Sequence, residues 1–199
     1  MKEHENRGSN RFYRVLIAIL RPLVHVIFPH RVTGVENIPK DGPVLLCSNH
    51  VSMLDPVFIA CAVKREIRFI SKKELFDNKF LGPILTKMGM FPVNRGGTDM
   101  AAMRTCMGIL KEGGVLGIFP QGHRWRKDEN RELQSGAAVM ALRSRVPVIP
   151  IHVEAPVKPF RFIRVRVGAP VKLDDIPRLD APSVEQAGER LKDAIWQDM

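Results

Sequence analysis

The stretch Val44-Leu45-Leu46-Cys47-Ser48-Asn49-His50-Val51-Ser52-Met53-Leu54-Asp55-Pro56 decides how the chain is read. Its opening run, Val44 to Cys47, is continuously apolar, the pattern of a strand buried on both faces. A histidine follows almost at once, and an aspartate five residues after it. A neutral imidazole near pH 7 takes a proton from a hydroxyl, and a carboxylate on its other ring nitrogen fixes the tautomer and stabilises the imidazolium formed. In a regular helix, residues five apart lie roughly 140° from one another, so His50 and Asp55 meet only if the segment turns. Pro56 supports that turn, because it disfavours the α conformation at Asp55 and suits the first position of a helix. The same residues also fit a plain helix entry with Asp55 as N-cap. On its own the pair leaves catalysis, capping and a core histidine open.

Outward from this stretch, strand-like and helix-like segments alternate without a low-complexity linker or internal repeat. Strands are expected over residues 31–36 (at a sheet edge), 44–48, 68–71, 91–94, 115–119, 146–153 and 162–167. Helices are expected over 56–63, 99–112 and 135–144, with an irregular one over 73–88 broken at Gly82-Pro83. Gly113-Gly114 closes the second of these. A terminal helix over 183–197 takes Ser183 as its cap and places Val184, Ala187, Leu191 and Ile195 on one face. Such alternation predicts an α/β fold: a mixed, mainly parallel sheet covered by helices.

The chain has 199 residues, 45% hydrophobic and 26% charged, which suits one domain with a sizeable core. Its net charge of +10 favours an anionic partner: nucleic acid, an anionic membrane surface or a phosphorylated small molecule. Nucleic acid fits poorly, because Tyr13 is the single tyrosine, Trp125 and Trp196 the two tryptophans, and aromatic and basic residues do not interleave on several strands. Cys47, Cys61 and Cys106 are odd in number and lack a C-x-x-C spacing, so neither a disulfide framework nor a zinc site is expected and a reducing compartment is. Residues 1–10 are polar, with no cleavable signal expected. Residues 12–28 are apolar but interrupted by Arg21 and Pro22, short of the ~20 residues a span requires. Arg11, Arg14 and Arg21, with Phe12, Tyr13 and Phe28, fit a helix or broken helix pair lying in a membrane interface, the alternative being a helix packed on the domain's own core. Apolar character all round, rather than on one stripe, favours lipid.

Ligands in such folds collect at the carboxyl ends of the strands. His50 follows the strand at 44–48. Asn94, Arg95, Gly96 and Gly97 follow Phe91-Pro92-Val93, and Pro120, Gln121, Gly122, His123 and Arg124 follow the strand ending at Phe119. Glycines allow close backbone approach, and arginine offers a bidentate fork matched to phosphate. Either loop alone is an ordinary solvated turn; their shared strand-end position joins them to His50.

With these residues in place, the sequence resembles the glycerolipid acyltransferases typified by 1-acylglycerol-3-phosphate acyltransferase. Asn49, His50 and Asp55 match the family's N-H-x-x-x-x-D block. Phe91-Pro92-Val93-Asn94-Arg95 resembles its second block, Phe119-Pro120-Gln121-Gly122-His123-Arg124-Trp125 partly matches F-P-E-G-T-R-S, and Val146-Pro147-Val148-Ile149-Pro150 matches the fourth. The flanking Gly34-Val35-Glu36-Asn37-Ile38-Pro39 and Lys72-Lys73-Glu74-Leu75-Phe76 are also typical of it. The resemblance implies that fold, with residues 1–30 as a membrane-interface segment and 31–199 as the acyltransferase domain.

It also implies roles. His50 is the expected base toward the acceptor's hydroxyl, with Asp55 orienting it, and transfer is direct from acyl-CoA or acyl carrier protein. That donor is a co-substrate; no metal or cofactor is expected. Asn94, Arg95, Gln121, Gly122 and Arg124 are the expected acceptor-binding residues, the arginines holding its phosphate. The expected acceptor is a lysophospholipid, 1-acyl-sn-glycerol-3-phosphate by default. The expected location is the cytoplasmic side of the cell membrane, peripheral or monotopic.

The third block departs from the family at Gln121, His123 and Trp125, and Gln121 exchanges a family carboxylate for an amide. A different lysolipid acceptor and a weakly active lipid-binding relative therefore stay open. A hydrolase using Ser52 or Cys47 is a further alternative, although no G-x-S-x-G elbow is present. His152 is expected on a strand surface, and Arg161, Arg164 and Arg166 with Lys158 on a basic strand that is either solvated or facing anionic groups.

Overall fold

The computed structural model describes residues 10–93, 99–124, 131–154 and 157–197. In chain order the elements are α1 (Arg11–Ile27), β1 (His30–Thr33), β2 (Val44–Ser48), α2 (Asp55–Ala62), β3 (Ile67–Lys72), α3 (Leu81–Lys87), β4 (Phe91–Val93), α4 (Met100–Lys111), β5 (Val115–Ile118), α5 (Ser135–Ser144), β6 (Val148–Val153), β7 (Ile163–Val167) and α6 (Ala181–Trp196). The strands form one sheet in the order β1-β7-β6-β2-β5-β3-β4. Every neighbouring pair is parallel except β6 with β7. The expected mixed, mainly parallel sheet is therefore the one that forms, with β1 at its edge.

β2 lies in the middle, paired with β5 and β6, and every one of its residues is buried. Its alternate side chains feed two cores. Val44 and Leu46 join Tyr13, Ile17, Val24, Phe58, Ile59 and Leu85 on the side covered by α1, α2 and α3. Leu45 and Cys47 join Cys106, Ile109, Leu142, Leu191 and Ile195 on the side covered by α4, α5 and α6. Each such fully buried aliphatic side chain contributes about 1.5–3 kcal/mol.

Several expectations about helix ends change. α1 runs unbroken through Pro22. Ala18, whose carbonyl loses its N–H partner there, lies with Pro22 on the exposed side, where the missing bond costs least. Gly82 and Pro83 do not break α3 but sit in its first turn, where proline's missing N–H has no intrahelical partner to lose. A side chain at Gly82 would collide with the Phe76 carbonyl, so glycine lets the turn fold back. The cap of α6 is Asp180 rather than Ser183: its carboxylate accepts the Ser183 N–H at 3.0 Å, and Pro182 occupies the first turn.

α1 is apolar on two faces with different fates. Tyr13, Ile17 and Val24 are part of the core, while Val15, Ile19, Leu23 and Val26 are exposed along the outer side. The Tyr13 hydroxyl accepts the Ile67 N–H at 3.3 Å, and burial pushes its pKa up to about 12. Among the described residues, no helix is long and apolar enough to cross a membrane.

Candidate active site

The site starts where β2 ends. Asn49 uses its side-chain amide like a backbone unit: Nδ2 donates to the Val153 carbonyl at 2.9 Å and Oδ1 accepts the Val153 N–H at 2.7 Å. This extends the β2–β6 ladder by one residue and fixes the direction in which the chain leaves the sheet. His50 comes next, and the segment after it turns back on itself, as the sequence required. His50 Nδ1 and Asp55 Oδ2 are 2.8 Å apart. The same oxygen accepts the N–H groups of Val51 and Ser52, each at 2.7 Å.

Asp55 is thus not the N-cap that its sequence context also allowed. It is the first residue of α2, Leu54 holds the cap position, and the carboxylate points back into the loop that presents His50. Its side chain is 0% exposed and that of His50 15%. Oxygen Oδ1 of Asp55 has no partner among the described residues. With Nδ1 committed to the carboxylate, Nε2 is the nitrogen left for a substrate proton. The buried carboxylate stabilises imidazolium if that proton is taken.

The imidazole plane is set by an aromatic stack. Phe119 lies on His50 with centroids 4.2 Å apart at 23°, and Phe69 lies on Phe119 at 5.7 Å and 10°. Phe69 reaches that position because β5 carries Gly117 beneath it; a Cβ there would collide with the edge of the Phe69 ring. Sequence reading placed Phe119 in a motif but gave neither it nor Phe69 a role. A glycine inside the buried run Val115-Leu116-Gly117-Ile118 was the available signal, since glycine in a strand marks close approach.

Gln121 is buried, 3% exposed, with its Oε1 accepting the backbone N–H of His50 at 2.8 Å. Its Nε2 is buried without a partner among the described residues. Gly122 has φ +74, and a side chain there would strike the Gln134 amide. The Gln134 N–H donates to the Pro120 carbonyl at 2.7 Å, so the start of α5 holds this loop in place. Gln134 was not anticipated. Arg124 is exposed just beyond. Asn94, Arg95 and Trp125 lie outside the described residues. The structure therefore brings His50, Asp55 and Gln121 together and keeps Gly122 beside them.

The alternative nucleophiles are poorly placed. Cys47 is fully buried in β2, and burial pushes its thiol up to about 12, where thiolate is scarce. The Ser52 hydroxyl accepts the Leu54 N–H at 3.2 Å and shapes the loop. His152, expected on a strand surface, is partly buried instead. Loss of solvation, then Arg166, holds its pKa below the ordinary value. The Arg166 guanidinium donates to the Gln197 carbonyl at 2.6 Å, and Arg164 pairs with Glu154 at 3.2 Å. These two strand arginines thus serve the protein's own groups.

A base held by a buried carboxylate at the carboxyl end of a mixed sheet, with neither Cys47 nor Ser52 placed to attack, is an arrangement suited to moving a proton from an acceptor hydroxyl. A family model described as Acyltransferase matches residues 29–154, well over half of the chain, and the chain belongs to that family. It is 32% identical over 127 residues to a 1-acyl-sn-glycerol-3-phosphate acyltransferase of Bacillus subtilis, covering 63% of each chain. It is 30% identical over 194 residues to the enzyme of the same name from Streptococcus pneumoniae, covering 93% of this chain and 72% of that one. The solved structure of the 1-acyl-sn-glycerophosphate acyltransferase PlsC from Thermotoga maritima shares the fold, with a TM-score of 0.69 at 20% identity over 98% of this chain and 86% of that one.

Proposed function

We propose that the chain transfers a fatty acyl group from acyl-CoA or acyl carrier protein to the free hydroxyl of 1-acyl-sn-glycerol-3-phosphate, giving phosphatidic acid for phospholipid synthesis. The observation that carries this reading is the 2.8 Å contact between His50 Nδ1 and the fully buried Asp55 carboxylate, which leaves Nε2 as the free nitrogen. In the reaction, Nε2 takes the hydroxyl proton as the acceptor oxygen attacks the thioester carbonyl. The new C–O bond forms, the C–S bond of the tetrahedral intermediate breaks, and the imidazolium returns its proton to the leaving thiolate. No acyl-enzyme is needed. Arg95 and Arg124 hold the acceptor's phosphate, so that its hydroxyl lies beside His50.

The names of the relatives support this acceptor, and the exposed apolar side of α1 supports the place of work. Val15, Ile19, Leu23 and Val26 form its outer stripe, with Arg11 and Arg14 at its start. A helix of this kind rests in the interface of an anionic membrane. The expected surface is the cytoplasmic side of the cell membrane, where both thioester donors are found. Gln121 favours a second reading, transfer to another lysolipid, because its buried amide offers a hydrogen-bond donor where the family block has a carboxylate.

The test is purified protein with palmitoyl-CoA or palmitoyl-acyl carrier protein and a panel of lysophosphatidic acid, lysophosphatidylethanolamine, lysophosphatidylglycerol and lysophosphatidylcholine. Lysophosphatidic acid should be used fastest, and Arg95→Ala should raise its KM. Faster use of another lysolipid would favour the second reading. Absence of transfer to any of them, from either donor, would overturn both.

A further inference from the structure

The connection between β6 and β7 carries an observation that the acyl-transfer chemistry does not use. Phe160, at its tip, is 77% exposed and Phe162 is 59% exposed. Phe160 also has φ +58, the left-handed region that glycine adopts freely and a bulky aromatic rarely does. A phenylalanine held in a strained conformation with its ring in the open contributes little to the fold's stability. Its presence there points to something outside the fold that the ring meets.

The topology says where that ring is presented. β2 and β6 are parallel, and β6 and β7 antiparallel, so the β6–β7 connection lies at the carboxyl end of β2, the end from which His50 emerges. The tip is tied to α1 by backbone bonds: the Phe160 N–H donates to the Ile27 carbonyl at 2.7 Å and the Ile163 N–H to the Pro29 carbonyl at 2.9 Å. Phe160 is thus hydrogen-bonded to the residue that follows Val26, the last member of the exposed α1 stripe, which is 70% exposed. Lys158 and Arg161, both exposed, flank the two rings. Unlike Arg164, which pairs with Glu154, neither has an acidic neighbour within the tip.

We infer that residues 158–162 are a second membrane-docking element, with Phe160 and Phe162 entering the interface of an anionic bilayer and Lys158 and Arg161 meeting its headgroups. The inference rests on the proposed membrane reading of α1 and adds to it. Aromatic rings flanked by cations suit the headgroup boundary, where an apolar body and a charged neighbour are both satisfied. A helix lying alone in the interface can still roll about its axis. A second contact at the end of α1 stops that roll and turns the carboxyl end of the sheet, with His50, toward the surface that holds the acceptor. Met53 and Phe80 are also exposed at that end, in the loop after His50 and ahead of α3.

The test is co-sedimentation with vesicles of equal parts phosphatidylglycerol and phosphatidylcholine, with no acyl donor present, so that binding is read apart from catalysis. Phe160→Gly should keep or raise the melting temperature, because glycine relieves the strained backbone, and should weaken vesicle binding. The pair Phe160→Gly with Phe162→Ser should lower the partition coefficient about tenfold or more. Wild-type binding should fall on vesicles of phosphatidylcholine alone. Binding of the double variant within about twofold of wild type, where Ile19→Ser with Leu23→Ser abolishes it, would overturn this inference and leave the α1 reading standing. Failure of the wild type to bind would overturn both, while the acyl-transfer reading would still be judged on lysolipids dispersed in detergent. A wild-type dimer that Phe160→Gly dissociates, with vesicle binding unchanged, would assign the tip to a second copy of the chain instead.

Discussion

Gln121 and His50 are joined by one hydrogen bond of 2.8 Å, the side-chain Oε1 accepting the backbone N–H. A backbone N–H only donates, so the oxygen must be the end that faces His50. Nε2 is then the end left buried and without a partner among the described residues. A glutamate at this position would keep the acceptor and lose the donor. The departure from the family's third block therefore sits on the backbone of the proposed base itself.

Gln121→Leu removes the acceptor and leaves the His50 N–H unsatisfied. Stability should fall by about 1–3 kcal/mol, and kcat should fall by about tenfold as the imidazole loses its position. Gln121→Glu retains the acceptor, and turnover of lysophosphatidic acid should stay within about fivefold of wild type, because the His50 N–H remains satisfied. A many-fold rise would instead identify another lysolipid as the natural acceptor. Urea unfolding and steady-state kinetics on both variants measure these outcomes.

Gly117→Ala drives a methyl group against the edge of the Phe69 ring. Phe69 must move, and Phe119 and the imidazole stacked on it follow. Overpacking of this kind costs about 1–3 kcal/mol. The kinetic signature should be a fall in kcat larger than any rise in KM, since the stack bears directly on the imidazole of the base. Equal stability and kcat would show that the stack does not set the imidazole.

Burial pushes the Cys47 and Cys106 thiols up to about 12. At about pH 8 both are protonated and shielded, so a disulfide reagent should label neither in the native protein and both after unfolding. Cys47→Ala should retain acyl transfer. Rapid native labelling of Cys47 with loss of activity would revive a thiol nucleophile.

His152 links the fold to pH. Burial, then the Arg166 guanidinium, holds its pKa below the ordinary value. The unfolded chain therefore binds a proton that the folded chain resists, and stability rises with pH in that range. Its contribution is complete above about pH 6.5 and is lost as pH falls through the lower folded-state value. Urea midpoints should decline between about pH 7 and pH 5, and His152→Gln should flatten that decline. An unchanged slope would show that other groups set the acid limb.

How far the sequence could be read follows from the range of each interaction. β2 and α5 have the expected bounds, because a continuous apolar run and a helical period are local signals. The approach of His50 to Asp55 was legible as a requirement, since only a turn brings them together, and the turn is present. That the carboxylate faces backward rather than capping α2 was not, because it depends on the Val51 and Ser52 amides curling around one oxygen. Gln121 was legible as a site residue, but its bond to a backbone group 71 positions away was not. The Phe69–Phe119–His50 stack joins the middle of β3 to the residues just past β5 and β2, and exists only once β3 and β5 pair over Gly117. α1 looked apolar all round because both of its faces are, one turned to the core and the other outward.

The most direct measurement is the rate of acyl transfer from palmitoyl-CoA to lysophosphatidic acid by wild type, His50→Ala and Asp55→Asn, with circular dichroism confirming the fold of each. If His50 Nε2 is the base and Asp55 orients it, His50→Ala should lose about 10²- to 10⁴-fold in kcat with little change in KM. Asp55→Asn should fall in the same direction, because the amide carries no charge to stabilise the imidazolium. Transfer by folded His50→Ala at a rate near that of wild type would contradict the mechanism.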